Sequence, residues 1–204
     1  TDGIIYNDTV HHAVSEAIHA YSSPNAPRGK PSAILSLVNN ETGQISDVYA
    51  FRRQNRLHRI GIDATAAVGH ILVNFRALGA DYMAFGGHKF GAPKGIGALI
   101  VREGCPISPM IFGGAQERGM RGGTVSVPLA AAMAAALAWH TKNMAVNAIQ
   151  IHKVRTQLIF DLAQLGVDHI VNFNDGHRKF ADHILSLRFP GVYGAALAAA
   201  LSEN

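Results

Sequence analysis

The chain has 204 residues, 48% of them hydrophobic and 16% charged, which is enough to bury a real core and excludes intrinsic disorder and collagen-like or mucin-like repeats. Lys and Arg number 18 against 14 Asp and Glu, a net charge of +4 scattered along the chain with no basic face, so nucleic acid is not an expected partner. A single cysteine, Cys105, rules out an internal disulfide framework and a Cys-x-x-Cys metal knuckle and suits a reducing compartment; the longest near-continuous apolar run, residues 127–139 with Pro128 inside it, is too short to cross a bilayer. The chain opens at Thr1 with neither the apolar core of a secretory signal nor an Arg- and Ser-rich transit segment, and an upstream segment is expected to have been removed or to lie elsewhere.

In chain order, residues 33–38 form a short apolar run between Pro31 and Asn39-Asn40, the pattern of a buried parallel strand. Residues 47–59 read as a helix capped by Ser46 or Asp47, and 60–63 return as a strand, which predicts a right-handed crossover. Residues 80–85 and 96–101 are a third and a fourth strand, separated by the glycine-rich stretch 86–95. An α/β sheet follows. From Pro128 an alanine-rich helix begins, apolar on nearly every side and therefore expected to pack on both faces. A second helix is predicted over about 145–165 with Gly166 as its stop, and a domain boundary is placed near 145. The tail adds a strand at 184–189 and an alanine-rich helix at 194–201, too little to close a core, so 146–204 reads as an incomplete second domain.

The strongest local feature is Gly86-Gly87-His88-Lys89-Phe90-Gly91-Ala92-Pro93-Lys94-Gly95-Ile96-Gly97. It is not a P-loop, since no Gly-Lys pair is followed by Ser or Thr in that frame, and it lacks the third glycine of a dinucleotide fingerprint. What remains is a basic pair, His88-Lys89, in a glycine-lined turn at a strand end, where an α/β sheet places its ligands. A lysine there can serve as an amine nucleophile that forms a Schiff base once its pKa is lowered; a solvated loop lysine is the plain alternative.

Three further motifs occur in order with this one: Val38-Asn39-Asn40-Glu41-Thr42-Gly43, Asp63-Ala64-Thr65-Ala66-Ala67-Val68-Gly69-His70, and Gly113-Gly114-Ala115-Gln116-Glu117-Arg118-Gly119-Met120-Arg121-Gly122-Gly123-Thr124. Together they resemble the class V aminotransferase family, in its cysteine desulfurase and selenocysteine lyase branch, densely over about 33–137 and weakly on either side. The resemblance implies a fold type I large domain, a mostly parallel sheet with flanking helices over 1–145, and a truncated α+β small domain over 146–204. It implies pyridoxal phosphate as cofactor and release of sulfur or selenium from cysteine or selenocysteine, leaving alanine. Lys89 matches the lysine that binds the cofactor as a Schiff base and then moves the Cα proton. His88 matches a residue near the cofactor phosphate, Asp63 the carboxylate paired with the pyridinium nitrogen, and Asn40 an asparagine near the ring hydroxyl. A protonated ring is the electron sink that such chemistry needs. Thr124 matches a threonine that reaches the phosphate across a dimer interface, so a homodimer or larger assembly is implied, with a sulfur or selenium acceptor protein as partner and a cytoplasmic or mitochondrial location. Taken singly, Asp63 and Asn40 also read as turn residues, and His70 and the glycines of 113–123 as loop chemistry.

The pattern departs from the family at two of these positions. Ala66 stands where a glutamine is usual, and a methyl cannot donate; Gly86 stands where a hydroxyl residue often binds the phosphate. Both weaken the cofactor cradle, so Lys89 by itself does not guarantee retention of the cofactor. The chain also starts after the family's phosphate loop and ring-stacking histidine and stops before its sulfur-accepting cysteine and carboxylate-binding arginine; this chain alone is expected to be inactive. A non-catalytic homologue serving as a structural subunit is the alternative. Cys105 is read as structural. His12, Glu16 and His19 share a helix face with metal-compatible spacing but read as exposed polar residues, and His177-Arg178-Lys179 as a solvated turn; no metal is expected.

Overall fold

The structure is a computed structural model that describes residues 5–6, 10–21, 32–172, 176 and 179–203. Five strands form one sheet in sequential order: β1 (Ile5–Tyr6), β2 (Ser32–Ser36), β3 (Arg59–Asp63), β4 (Tyr82–Gly86) and β5 (Gly97–Val101). β1 to β4 run parallel and β5 turns back antiparallel against β4. Connections between the parallel strands carry α1 (His12–Tyr21), α2 (Val48–Gln54) and α3 (Phe75–Leu78). The mostly parallel α/β architecture expected from the strand pattern is the one observed.

β2 and β3 alternate buried and half-buried residues; Ala33 and Ile60 are fully buried, with Leu35 and Ile62 close behind. Val48 from α2, Met83 from β4 and Phe90 complete the centre of the core. Burying Phe90, 1% exposed, contributes about 1.5–3 kcal/mol relative to leaving it in water. β2 ends sooner than its apolar run, because Asn39 bends the chain. Its Oδ1 accepts from the backbone N–H groups of Glu41 and Thr42 and from Thr42 Oγ1, at 3.0, 2.8 and 3.0 Å, a side-chain turn that competes with further sheet. α2 begins at its predicted cap, with Asp47 Oδ1 accepting from Ala50 N at 2.8 Å. It ends at Gln54, well before residue 59, where Asn55 leaves helical geometry (φ −120°, ψ 55°) and its Nδ2 donates to the Phe51 carbonyl at 3.0 Å.

At the amino ends of β3 and β4 a buried carboxylate binds the layers together. Asp81, 6% exposed in its side chain, pairs with Arg52 of α2 at 2.6 Å and with Arg102 just past β5. It also accepts from Ile60 N at 2.8 Å and lies 3.3 Å from Cys105 Sγ. Arg52 donates further to the carbonyls of Gly79 and His58. Burial, with Arg102 beside it, lowers the Arg52 pKa from its ordinary value. Cys105, the lone thiol, is thus a hydrogen-bonding member of this cluster, a structural setting.

The two helices predicted on either side of residue 145 are one. α4 (Val127–Gln164) runs 38 residues without interruption, about 57 Å at 1.5 Å per residue. In its polar middle the side chains of Thr141 and Asn143 are satisfied within the helix, Oγ1 and Nδ2 donating at 2.8 Å to the carbonyls four residues back, Leu137 and Trp139. The expectation that its first half packs on all sides is corrected too. Met133, Ala136 and Leu137 pack on the core, while no residue of α4 is fully buried and Trp139 stays 56% exposed. Its end is closed as expected at Gly166, whose N–H bonds Ala163 O while Val167 N bonds Leu162 O, both at 3.0 Å.

The tail adds a two-stranded antiparallel pair, β6 (Ile170–Val171) with β7 (Leu187–Arg188), then α5 (Gly194–Ser202). The strand expected over 184–189 is therefore only two residues long. The stretch before it returns to the first core instead: Ala181 is 2% exposed, Phe180 bridges Gln44, and Ile45 N bonds Lys179 O. His177 and Arg178 of the basic turn lie outside the described residues. His12, Glu16 and His19 sit on α1, and among the described residues no three His, Cys, Asp or Glu side chains are grouped to hold a metal ion. No described helix is long and apolar enough to cross a membrane.

Candidate active site

Parallel strands leave their carboxyl ends on one edge, and loops leaving that edge converge on bound ligands. Asp63 is the last residue of β3 and pairs in register with Ala84 of β4. β4 ends at Gly86, and the next four residues, Gly87–Phe90, wind into a single 3₁₀ turn that carries His88 and Lys89. Asn40 follows β2 in the turn after Val38, and β2 itself closes with Ser36 opposite Asp63. Four of the five predicted site residues therefore leave the same edge from three adjacent strands.

Local interactions explain each placement. Asp63 Oδ1 accepts from Thr65 N at 2.9 Å, which tightens the turn behind it, and among the described residues its carboxylate pairs with no cation. Asn39, not Asn40, makes the turn that follows β2; Asn39 is 5% exposed while Asn40 is exposed. Phe90 anchors the 3₁₀ turn in the core, and His88 and Lys89 on the same turn are exposed. No ion pair involves Lys89 among the described residues.

Gly86 shapes the turn by what it lacks. A Cβ there would lie 3.0 Å from both Cε1 and Nδ1 of His88, so the imidazole rests against the strand end in the space that a hydroxyl side chain would enter. Thr124 is exposed in the loop ahead of α4, and among the described residues no hydrogen bond, ion pair or ring contact joins it to the other four. That loop is closed by Gly122 N on Ile111 O at 2.8 Å and holds Glu117 and Arg118 in consecutive left-handed conformations, φ 48° and 57°, a strained geometry for side-chain-bearing residues.

Residues 31–204 match the family described as Aminotransferase class-V. The chain belongs to that family. It is 34% identical over 174 residues to "Cysteine desulfurase IscS" of Ehrlichia chaffeensis, an alignment covering 83% of this chain and 42% of that relative. It is 33% identical over 173 residues to "Cysteine desulfurase, mitochondrial" of Drosophila melanogaster, covering 83% and 37%. A solved structure described as a NifS-like protein superposes with a TM-score of 0.87 at 27% identity, covering 98% of this chain and 61% of that one. The chain spans less than half the length of these two curated relatives. The class-V aminotransferase fold implied by the four motifs is the fold observed.

Sequence reasoning missed a histidine group beside the class-V aminotransferase motifs. His70 and His183 stack with centroids 4.0 Å apart and planes 11° from parallel, and His140 stands edge-on to His70 at 6.1 Å. Burial, then His70, pushes the His183 pKa down to about 4, against smaller upward contributions from the Ala66 carbonyl and Asp182. A cleft of about 310 Å³ opens beside them, lined by Gly69, His70, Trp139 and His140 among others; none of the five predicted site residues lines it. His70 appears in the motifs, but His183 lies more than a hundred residues away, and nothing in its flanking sequence announces the contact.

Proposed function

We propose that this chain contributes the lysine-bearing side of a pyridoxal phosphate-dependent cysteine desulfurase or selenocysteine lyase. One observation carries the reading: Asn40, Asp63, His88 and Lys89 leave the carboxyl ends of three adjacent parallel strands, and Lys89 stands on a rigid turn without a competing ion pair among the described residues. The donor set suits the cofactor: an amine to bind its aldehyde, a carboxylate to hold the proton of its ring nitrogen, an amide for the ring hydroxyl and a basic ring beside the phosphate.

When bound, pyridoxal phosphate supplies an electron sink for the pair left at the substrate Cα. Lys89 Nζ takes the Cα proton and later returns it. Asp63 keeps the ring nitrogen protonated, Asn40 orients the ring, and His88 bears on the phosphate. Thr124 serves the site of a second copy, which makes the assembly a dimer, and sulfur or selenium passes to an acceptor protein. We assign 1–145 to the cofactor-binding domain and 146–204 to the small domain, with α4 as the shared helix. A reducing compartment, bacterial cytoplasm or mitochondrion, fits the single thiol.

Ala66 and the His88 ring packed against Gly86 favour the rival, a non-catalytic structural subunit. The deciding experiment adds pyridoxal phosphate to the full protein, reduces with borohydride and maps the adduct by peptide mass spectrometry. An imine absorbance band and a reduced adduct at Lys89, both lost in K89A, support the enzyme; an unmodified Lys89 supports the subunit.

A further inference from the structure

His70 and His183 do more than fill space. Each ring places Nε2 2.9 Å from a backbone carbonyl, His70 on that of Lys89 and His183 on that of Ala66. A carbonyl only accepts, so both Nε2 atoms carry a proton. The two carbonyls belong to different turns. Ala66 is three residues beyond Asp63 in the turn after β3, and Lys89 is in the turn after β4. The stacked rings, 4.0 Å apart, therefore span from the turn that bears the carboxylate to the turn that bears the amine.

The brace has a firm foot. His183 follows Ala181, which is buried in the core and whose N–H bonds Gly43 O at 2.8 Å. Beside the stack, the two turns also meet where Gly69 faces Phe90. A shift of His70 would thus release the Lys89 carbonyl while leaving Phe90 seated, freeing rotation of the very peptide that aims the lysine side chain.

We propose that His70, seconded by His183, is a positioning residue that holds the Lys89 peptide at a fixed orientation relative to Asp63. The inference rests on the reading of Lys89 as the cofactor lysine.

The test compares the parent protein with H70F, which keeps the ring but loses the donor, H70Q, which keeps a donor, and H183F. In cofactor-free protein, amide exchange over residues 87–91 is expected to quicken about three- to tenfold in H70F, the scale of one lost hydrogen bond, with β3 unchanged and H70Q closer to the parent. With pyridoxal phosphate present, the pH midpoint of the imine absorbance should move in H70F, less in H183F, and return in H70Q. Exchange over 87–91 equal to the parent in H70F, or quickened equally along the whole chain, overturns the proposal. A local change in exchange with an unmoved midpoint also overturns it, because the contact is then only structural. If H70F fails to fold, H70L, which also lacks the donor, takes its place with the same two readouts and the same overturning outcomes. A parent protein with no reducible adduct at Lys89 refutes the enzyme reading instead, and the cofactor-free exchange still judges the brace.

Discussion

Gly69, in the turn after β3, faces Phe90 of the turn that carries Lys89. Its φ is +84°, and a Cβ built on it would lie 2.5 Å from Phe90 Cβ and 3.2 Å from Phe90 Cγ, closer than carbon atoms in contact can be. Phe90 is 1% exposed and cannot swing into solvent, so G69A must move backbone. The left-handed conformation costs an alanine about 1–2 kcal/mol, and overpacking a filled core costs about 1–3 kcal/mol more. Gly104 provides the internal control: its φ is +77° and nothing lies within 4 Å of its Cβ position, so G104A carries only the backbone cost. Urea unfolding of both variants, followed by far-UV circular dichroism, should show G69A destabilised by about 2–5 kcal/mol and G104A by about 1–2 kcal/mol. At about 2–4 °C per kcal/mol for a chain of this size, the G69A melting temperature falls by about 4–20 °C. Equal losses in the two variants would show that the Gly69–Phe90 approach exerts no steric constraint and that the Lys89 turn is not wedged in place.

D81N should destabilise the fold by about 1–3 kcal/mol, since it weakens the charge-assisted bonds that the buried Asp81 side chain makes to the partly exposed Arg52 and Arg102; a urea midpoint within error of the parent would refute the clamp role of this cluster. Acid should weaken the protein through His183. Its folded pKa of about 4 lies below the unfolded value of about 6.5, so the unfolded chain binds more protons between these limits. The contribution is complete above about pH 6.5 and is lost as pH falls toward 4. Solvent screening of a half-buried ring limits it to about 1–2 kcal/mol. Stability measured across that window should fall less steeply in H183F, and an identical slope would contradict the assignment.

Much of the architecture was legible because the strands are short apolar runs between turn residues: 33–38, 60–63, 80–85 and 96–101 each contain or overlap a strand of the sheet. Boundaries shifted where a side chain captured backbone groups, as Asn39 does after β2 and Asn55 after α2. The fusion of two predicted helices into α4 was hidden because polar residues interrupt the apolar pattern at 140–143, while the hydrogen bonds that satisfy Thr141 and Asn143 within the helix are visible only in three dimensions.

The resemblance carried by four ordered motifs was enough to single out Asn40, Asp63, His88 and Lys89 as candidates, since each motif lives within a few neighbouring residues. Tertiary structure alone decided which distant groups meet: Asp81 with Arg52 and Arg102, and His183 with His70 across more than a hundred positions. Sequence pattern encodes which way a residue faces on its own element, whereas a contact between elements depends on how the whole chain packs. For that reason Lys89 could be singled out as a candidate from its neighbours, and the stacked rings of His70 and His183 beside its turn could not.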